Sequence, residues 1–131
     1  LRAAGIARAA LEPALERDWS VPAGDLEWDC RRTLDHVADT LLFYGAHLAT
    51  RAAHRLVPPR NGDPSRSPEE LLAVASGAAA MLAEVVRAAP ADARGFHGAG
   101  MADPEGFVAM GCAETLIHAD DIARGLGVPF A

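Results

Sequence analysis

The sequence has no lysine: all 12 of its basic side chains are arginine, set against 18 acids for a net charge of −6. An acidic chain with no basic cluster lacks the counter-charge needed to wrap nucleic acid or to adhere to an anionic membrane surface. Cysteine is scarce. Cys30 and Cys112 are too few for a disulfide scaffold, and neither sits in a CxxC pair. Long apolar runs are missing as well. The longest uncharged stretch, Leu71 to Ala83, contains Ser76 and Gly77 and falls short of the roughly 20 residues a bilayer requires. Leu1 to Ala10 carries Arg2 and Arg8 among alanines with no apolar h-region, so no signal peptide is read there. There is no Gly-rich phosphate loop, no EF-hand pattern and no Ser/His/Asp arrangement in recognisable context. The expectation is a cytoplasmic domain in a reducing compartment, with neither a nucleic-acid nor a membrane partner.

Aromatic residues amount to 5%, whereas alanine alone fills 29 of the 131 positions. Alanine, leucine and arginine favour helix, and 131 residues suffice for one buried core, so residues 1–131 are read as a single all-α domain. Residues 1–17 form a short amphipathic segment around Ile6, Ala10, Leu11 and Leu15, interrupted at Pro13. Trp19 to Leu26 is a loop with Pro22 and Gly24. A second helix starts between Asp25 and Asp29 and runs to about Leu56, with Leu34, Val37, Leu41, Leu42, Leu48 and Ala52 at helical steps. Pro58, Pro59, Asn61, Gly62 and Pro64 make a loop.

Ser67-Pro68-Glu69-Glu70 then reads as N-cap, N1 proline and capping-box glutamate, and the third helix runs from there until Pro90 ends it. Residues 91–103 read as a loop. Asp103-Pro104-Glu105 repeats the cap-plus-proline signal, and a fourth helix runs to Arg124, where Gly125 closes it. Four helices with substantial connections predict a four-helix bundle.

Chemistry concentrates in two segments. Glu114 and His118 lie four residues apart, within about 40° on one helix face, so both can point at one ion. The second helix offers His36, in Leu34-Asp35-His36-Val37-Ala38. Two neutral imidazoles and a carboxylate suit a borderline divalent cation, Zn²⁺ first and Ni²⁺ second, with a coordination position left open. Asp121, three residues beyond His118, can orient that imidazole or instead pair with Arg124. Arg32, one turn before His36, can take a substrate carboxylate or join an ion-pair ladder with Asp29, Asp35 and Asp39. His47 stands roughly 16 Å along the helix from His36, too far to share its ion. His54 falls on nearly the same face and is read with His47 as lining the far end or the surface. His97 is read as an exposed loop histidine, Cys30 and Cys112 as small core residues, and Trp19 and Trp28 as packing anchors with pocket-wall duty open to one of them.

Trp19 and Trp28, the Leu34-to-Ala38 segment, and Glu114-x-x-x-His118-x-x-Asp121-Ile-Ala-Arg-Gly-Leu-Gly127 together resemble the DinB superfamily. More narrowly they resemble the N-terminal domain of mycothiol-dependent maleylpyruvate isomerases. The resemblance covers roughly residues 12–130 and implies a DinB-like four-helix bundle holding a metal through His36, Glu114 and His118. It further implies a thiol such as mycothiol as co-substrate, a small organic substrate, and transferase or isomerase chemistry. Those isomerases carry a further C-terminal domain, whereas this sequence stops at Ala131, so either the sequence is truncated or the protein lacks that domain. The competing reading is a non-catalytic, homodimerising helical bundle that binds a metal or ligand.

Overall fold

The computed structural model describes residues 1–56 and 65–130. The expected loop at Pro58, Pro59, Asn61, Gly62 and Pro64 lies outside the described residues. The first helix, α1, spans Arg2–Leu11 and tightens into a 3₁₀ turn over Glu12–Ala14, where Pro13 ends the α-helical hydrogen-bond pattern. Ala7, Leu11 and Ala14 are buried, and the Trp19 indole N–H donates to the Ala14 carbonyl at 2.9 Å, which fixes the following turn. Gly24, at φ 55°, lets the chain reverse, and Ala23 and Cys30 then donate to Trp28 and Val21 carbonyls, each at 2.9 Å.

Helix α2 spans Cys30–Thr50, with the Asp29 carboxylate accepting from the Arg32 amide. Its expected extension to Leu56 does not form. Arg51 turns left-handed at φ 51° and ψ 41°, and the chain folds back. Three bonds replace the helical ladder there. Ala52 donates to the His47 carbonyl at 3.1 Å, Leu56 donates to His47 Nε2 at 2.9 Å, and Phe96 donates to the Ala52 carbonyl at 2.8 Å. Tertiary hydrogen bonds therefore decide this terminus, not local propensity.

Helix α3 spans Pro68–Ala88 and begins with the expected capping box, Ser67 and Glu70 each satisfying the other's backbone amide. Leu71, Leu72, Ala75, Ala78 and Leu82 are buried, while Val74 and Met81 remain 43% and 60% exposed. By length and composition alone this helix could cross a membrane, with a mean hydropathy of 1.6 over its most apolar window. Its buried leucines and alanines pack it along α2.

Residues 91–103, expected to be a loop, contain a small antiparallel hairpin, β1 over Gly95–His97 and β2 over Gly100–Ala102. The hairpin corrects a strictly all-α reading. Its strands are too short for an alternating pattern to show, and two glycines make it. Gly100 adopts φ 136°, and a Cβ on Gly95 would come within 2.7 Å of the His47 carbonyl oxygen.

Helix α4 spans Pro104–Leu126, capped by Asp103 through the Gly106 amide at 2.7 Å. It ends at Gly127, left-handed at φ 66°, and not at Gly125. Gly125 lies within the helix because the chain before α2 passes against it. A Cβ there would stand 2.8 Å from Cys30 Sγ and 3.1 Å from Ala23 Cα, and closer still to the Pro22 carbonyl oxygen.

The described residues thus form four helices and one hairpin. Helix α2 packs on α3 and α4, and α1 packs on α4 and α3. The core divides in two along α2. One cluster gathers Leu11, Trp19, Cys30, Leu34 and Ile122, and the other gathers Val37, Leu41, Tyr44, Leu82 and Phe107.

Candidate metal centre

The division between the two cores falls near His36, on the second turn of α2, and α4 lies across from it. Buried Thr115, Ala119 and Ile122 seat α4 in the interior, which turns Glu114 and His118 towards α2. His36 Nε2 and His118 Nε2 then stand 3.4 and 3.3 Å from the same Glu114 oxygen, Oε2. The two imidazole rings are 5.2 Å apart and nearly perpendicular, at 82°.

Glu114 Oε2 is buried yet makes no hydrogen bond. A buried carboxylate oxygen without a partner is costly, so the atom calls for a cation or a donor that its protein neighbours do not supply. Donor atoms about 2.0–2.2 Å from one tetrahedral ion stand roughly 3.3–3.6 Å from each other. The observed separations agree with that spacing, and two imidazoles with a carboxylate form a suitable donor set. All three donor atoms lie within 4.8 Å of one another. The residues therefore fit a divalent metal ion.

The surroundings orient these side chains. His118 Nδ1 lies 3.3 Å from Asp121 Oδ2, which leaves the Nε2 lone pair turned towards Glu114. The other Asp121 oxygen pairs with Arg124, so the two roles the sequence leaves open for this acid are held by its two oxygens at once. The Thr40 hydroxyl stands 3.4 Å from His36 Nε2. Trp28 meets the His36 ring edge-on at 5.1 Å, which makes it the tryptophan with a place at the site. Arg32 stacks its guanidinium 4.6 Å from the centroid of that indole, on the tryptophan that meets His36.

Beside the triad opens a cavity of about 270 Å³ walled by His36, Glu114, Tyr44, Arg55 and His97, among others. Tyr44, Arg55 and His97 extend the site beyond the triad. His97 is half-buried on β1, not an exposed loop residue, and its Nε2 lies 3.4 Å from the Tyr44 hydroxyl. Burial, and secondarily the Glu114 charge, push the Tyr44 phenol up to about 12, so it remains an O–H donor at neutral pH. Thr40 and Tyr44 follow His36 at one- and two-turn spacing, a signal present in the sequence. Nothing local marks Arg55 or His97.

The remaining candidates are structural. His47 is fully buried, its Nδ1 2.7 Å from the Phe43 carbonyl and its Nε2 accepting from Leu56. His54 is exposed. Cys30 is buried, and burial pushes its thiol up to about 11. Cys112 is half-buried and borders a separate, mainly apolar cavity between α1, α3 and α4.

Fold and site define a mainly helical protein with a two-histidine, one-carboxylate centre fitted to a divalent ion. The chain matches the DinB superfamily over residues 2–122 and belongs to it. No curated protein and no solved structure matches the chain.

Proposed function

We propose that this chain is a metal-dependent enzyme of the DinB type, with His36, Glu114 and His118 holding one divalent ion. Zn²⁺ is the first choice and Ni²⁺ the second. The observation that carries the reading is the buried, unpartnered Glu114 Oε2 placed 3.4 and 3.3 Å from two imidazole nitrogens. When bound, such an ion supplies Lewis acidity, favouring the thiolate form of a thiol and polarising a substrate oxygen. The chain's own residues do the rest. Asp121 fixes the His118 ring, Trp28 braces His36, and Tyr44 presents a donor to the cavity.

The likeness to maleylpyruvate isomerase N-terminal domains extends this proposal to a small thiol such as mycothiol, a small organic substrate, and isomerase or transferase chemistry in the cytoplasm. The packing of α2 against α3 and α4, with α1 across α3 and α4, supports a four-helix bundle as the architecture. Metal analysis of untagged protein tests the central claim, with one ion per chain expected and loss of that ion in His36→Ala. Absence of stoichiometric metal, together with unchanged stability of His36→Ala, would overturn it.

A second reading, a homodimerising binding module, is favoured by Val74 and Met81, apolar and exposed on α3. Sedimentation that gives a monomer, unaltered by Met81→Lys, rejects it.

A further inference from the structure

Two of the triad, His36 and Glu114, border the cavity, and Tyr44, Arg55 and His97 line it beyond them. Arg55 lies with its guanidinium carbon 5.4 Å from the Phe43 ring centroid, which steadies the cation at the cavity wall. Tyr44 is held from behind. The Ala99 amide donates to His97 Nδ1 at 3.1 Å, so the neutral ring carries its proton on Nε2 and donates it to the Tyr44 oxygen 3.4 Å away. With its oxygen accepting from His97, the Tyr44 hydroxyl keeps its own proton for a ligand in the cavity.

The Arg55 guanidinium and the Tyr44 phenol O–H both border this cavity, and an ionised carboxylate is the ligand group that accepts from donors of both kinds. Asp39 and Glu114 also border the cavity, so a bound carboxylate must sit against the donors and away from these two acids. About 270 Å³ admits a small molecule and lies just under the usual range for drug-sized ligands.

We propose that Arg55 and Tyr44 form a carboxylate subsite, so that the ligand is a small aliphatic acid bound at Arg55 and Tyr44 with its other polar group facing the triad. His97 is the positioning residue for Tyr44. The inference rests on the metal-site reading only for what the second polar group meets, since the donor pair itself belongs to the protein.

The probe is 3-mercaptopropionate, compared with its neutral analogue 3-mercaptopropionamide, titrated into ¹⁵N-labelled protein with and without Zn²⁺. The Arg55 side-chain resonance and the dissociation constants are the readouts, and Zn²⁺ affinity is measured separately by calorimetry. The acid is expected to bind at least tenfold more tightly than the amide and to shift the Arg55 signal, in both metal-free and Zn²⁺-loaded protein. Arg55→Gln is expected to erase that preference while Zn²⁺ affinity stays the same. Tyr44→Phe and His97→Ala are each expected to reduce the preference several-fold, with no further loss when combined.

Equal binding of acid and amide by the unaltered protein, or a preference that survives Arg55→Gln, overturns the subsite. Additive losses in the double variant overturn the role given to His97. Failure to bind Zn²⁺ with the acid preference intact in metal-free protein would instead count against the metal reading alone.

Discussion

Gly125→Ala provides a quantitative test of how α4 is seated against the start of α2. Replacing a glycine within a helix by alanine ordinarily stabilises it, by up to about 1 kcal/mol in the interior and less in the last turn, where Gly125 lies. At position 125 the added methyl would stand 2.8 Å from Cys30 Sγ and 3.1 Å from Ala23 Cα, with the Pro22 carbonyl oxygen nearer still. These neighbours cannot yield cheaply, because the backbone there is pinned by the Ala23-to-Trp28 and Cys30-to-Val21 hydrogen bonds, both 2.9 Å. Overpacking of this kind costs roughly 1–3 kcal/mol, and fixed backbone places it at the upper end. The net expectation is destabilisation by about 1–2 kcal/mol, a fall in Tm of roughly 3–8 °C for a domain of this size.

Gly77 supplies the control. It lies within α3, where a methyl in place of its hydrogen would meet no atom within 4 Å, so Gly77→Ala should stabilise by about 0.5–1 kcal/mol. Urea unfolding followed by circular dichroism, at unchanged m-value, gives both numbers. Calorimetric Zn²⁺ titration of Gly125→Ala should also show weaker binding, because α4 carries two of the three ligands. Wild-type or greater stability in Gly125→Ala would refute the close approach and the seating derived from it.

Asp121→Asn should weaken metal affinity about 10–100-fold by releasing the His118 ring, as measured by competition with a chromophoric chelator. His47→Leu should cost about 2–4 kcal/mol, from two lost hydrogen bonds and an orphaned Leu56 amide, while metal stoichiometry remains one per chain. Stability should also depend on alkaline pH through Cys30. The folded thiol, raised from 9.0 to about 11, stays protonated while the unfolded thiol ionises. Its contribution is complete below pH 9 and is lost between pH 9 and 11, at up to about 1.4 kcal/mol per pH unit. Urea midpoints across this range should therefore fall less steeply in Cys30→Ala.

What the sequence makes legible is what depends on neighbours along the chain. Ser67, Pro68 and Glu70 announce the start of α3 because a capping box is a four-residue affair. Glu114 and His118 announce each other because one helical turn aligns them. The end of α2 is not legible, since the His47 ring and the strand at Phe96 stop it from 9 and 44 residues away respectively, counted to Leu56 and Ala52. Gly125 carries the helix-stop signal, but its glycine serves a passing backbone, and Gly127 two residues later makes the turn. The cavity wall follows the same division. Tyr44 lies on the His36 face of α2, whereas His97 reaches it from a hairpin 53 residues away.

The two apolar clusters along α2 meet at the level of the triad. Substitutions at positions in the two clusters that lie far apart and share no partners should be additive in free energy. Tyr44 belongs to the second cluster, along with partly buried Phe43, while the first holds Trp19 and the early turns. Such a division lets ligand preference drift through one half of the protein while the other half keeps it folded. Evolutionary change in specificity and retention of stability can then draw largely on different residues, with His36, Glu114 and His118 lying where the two sets meet.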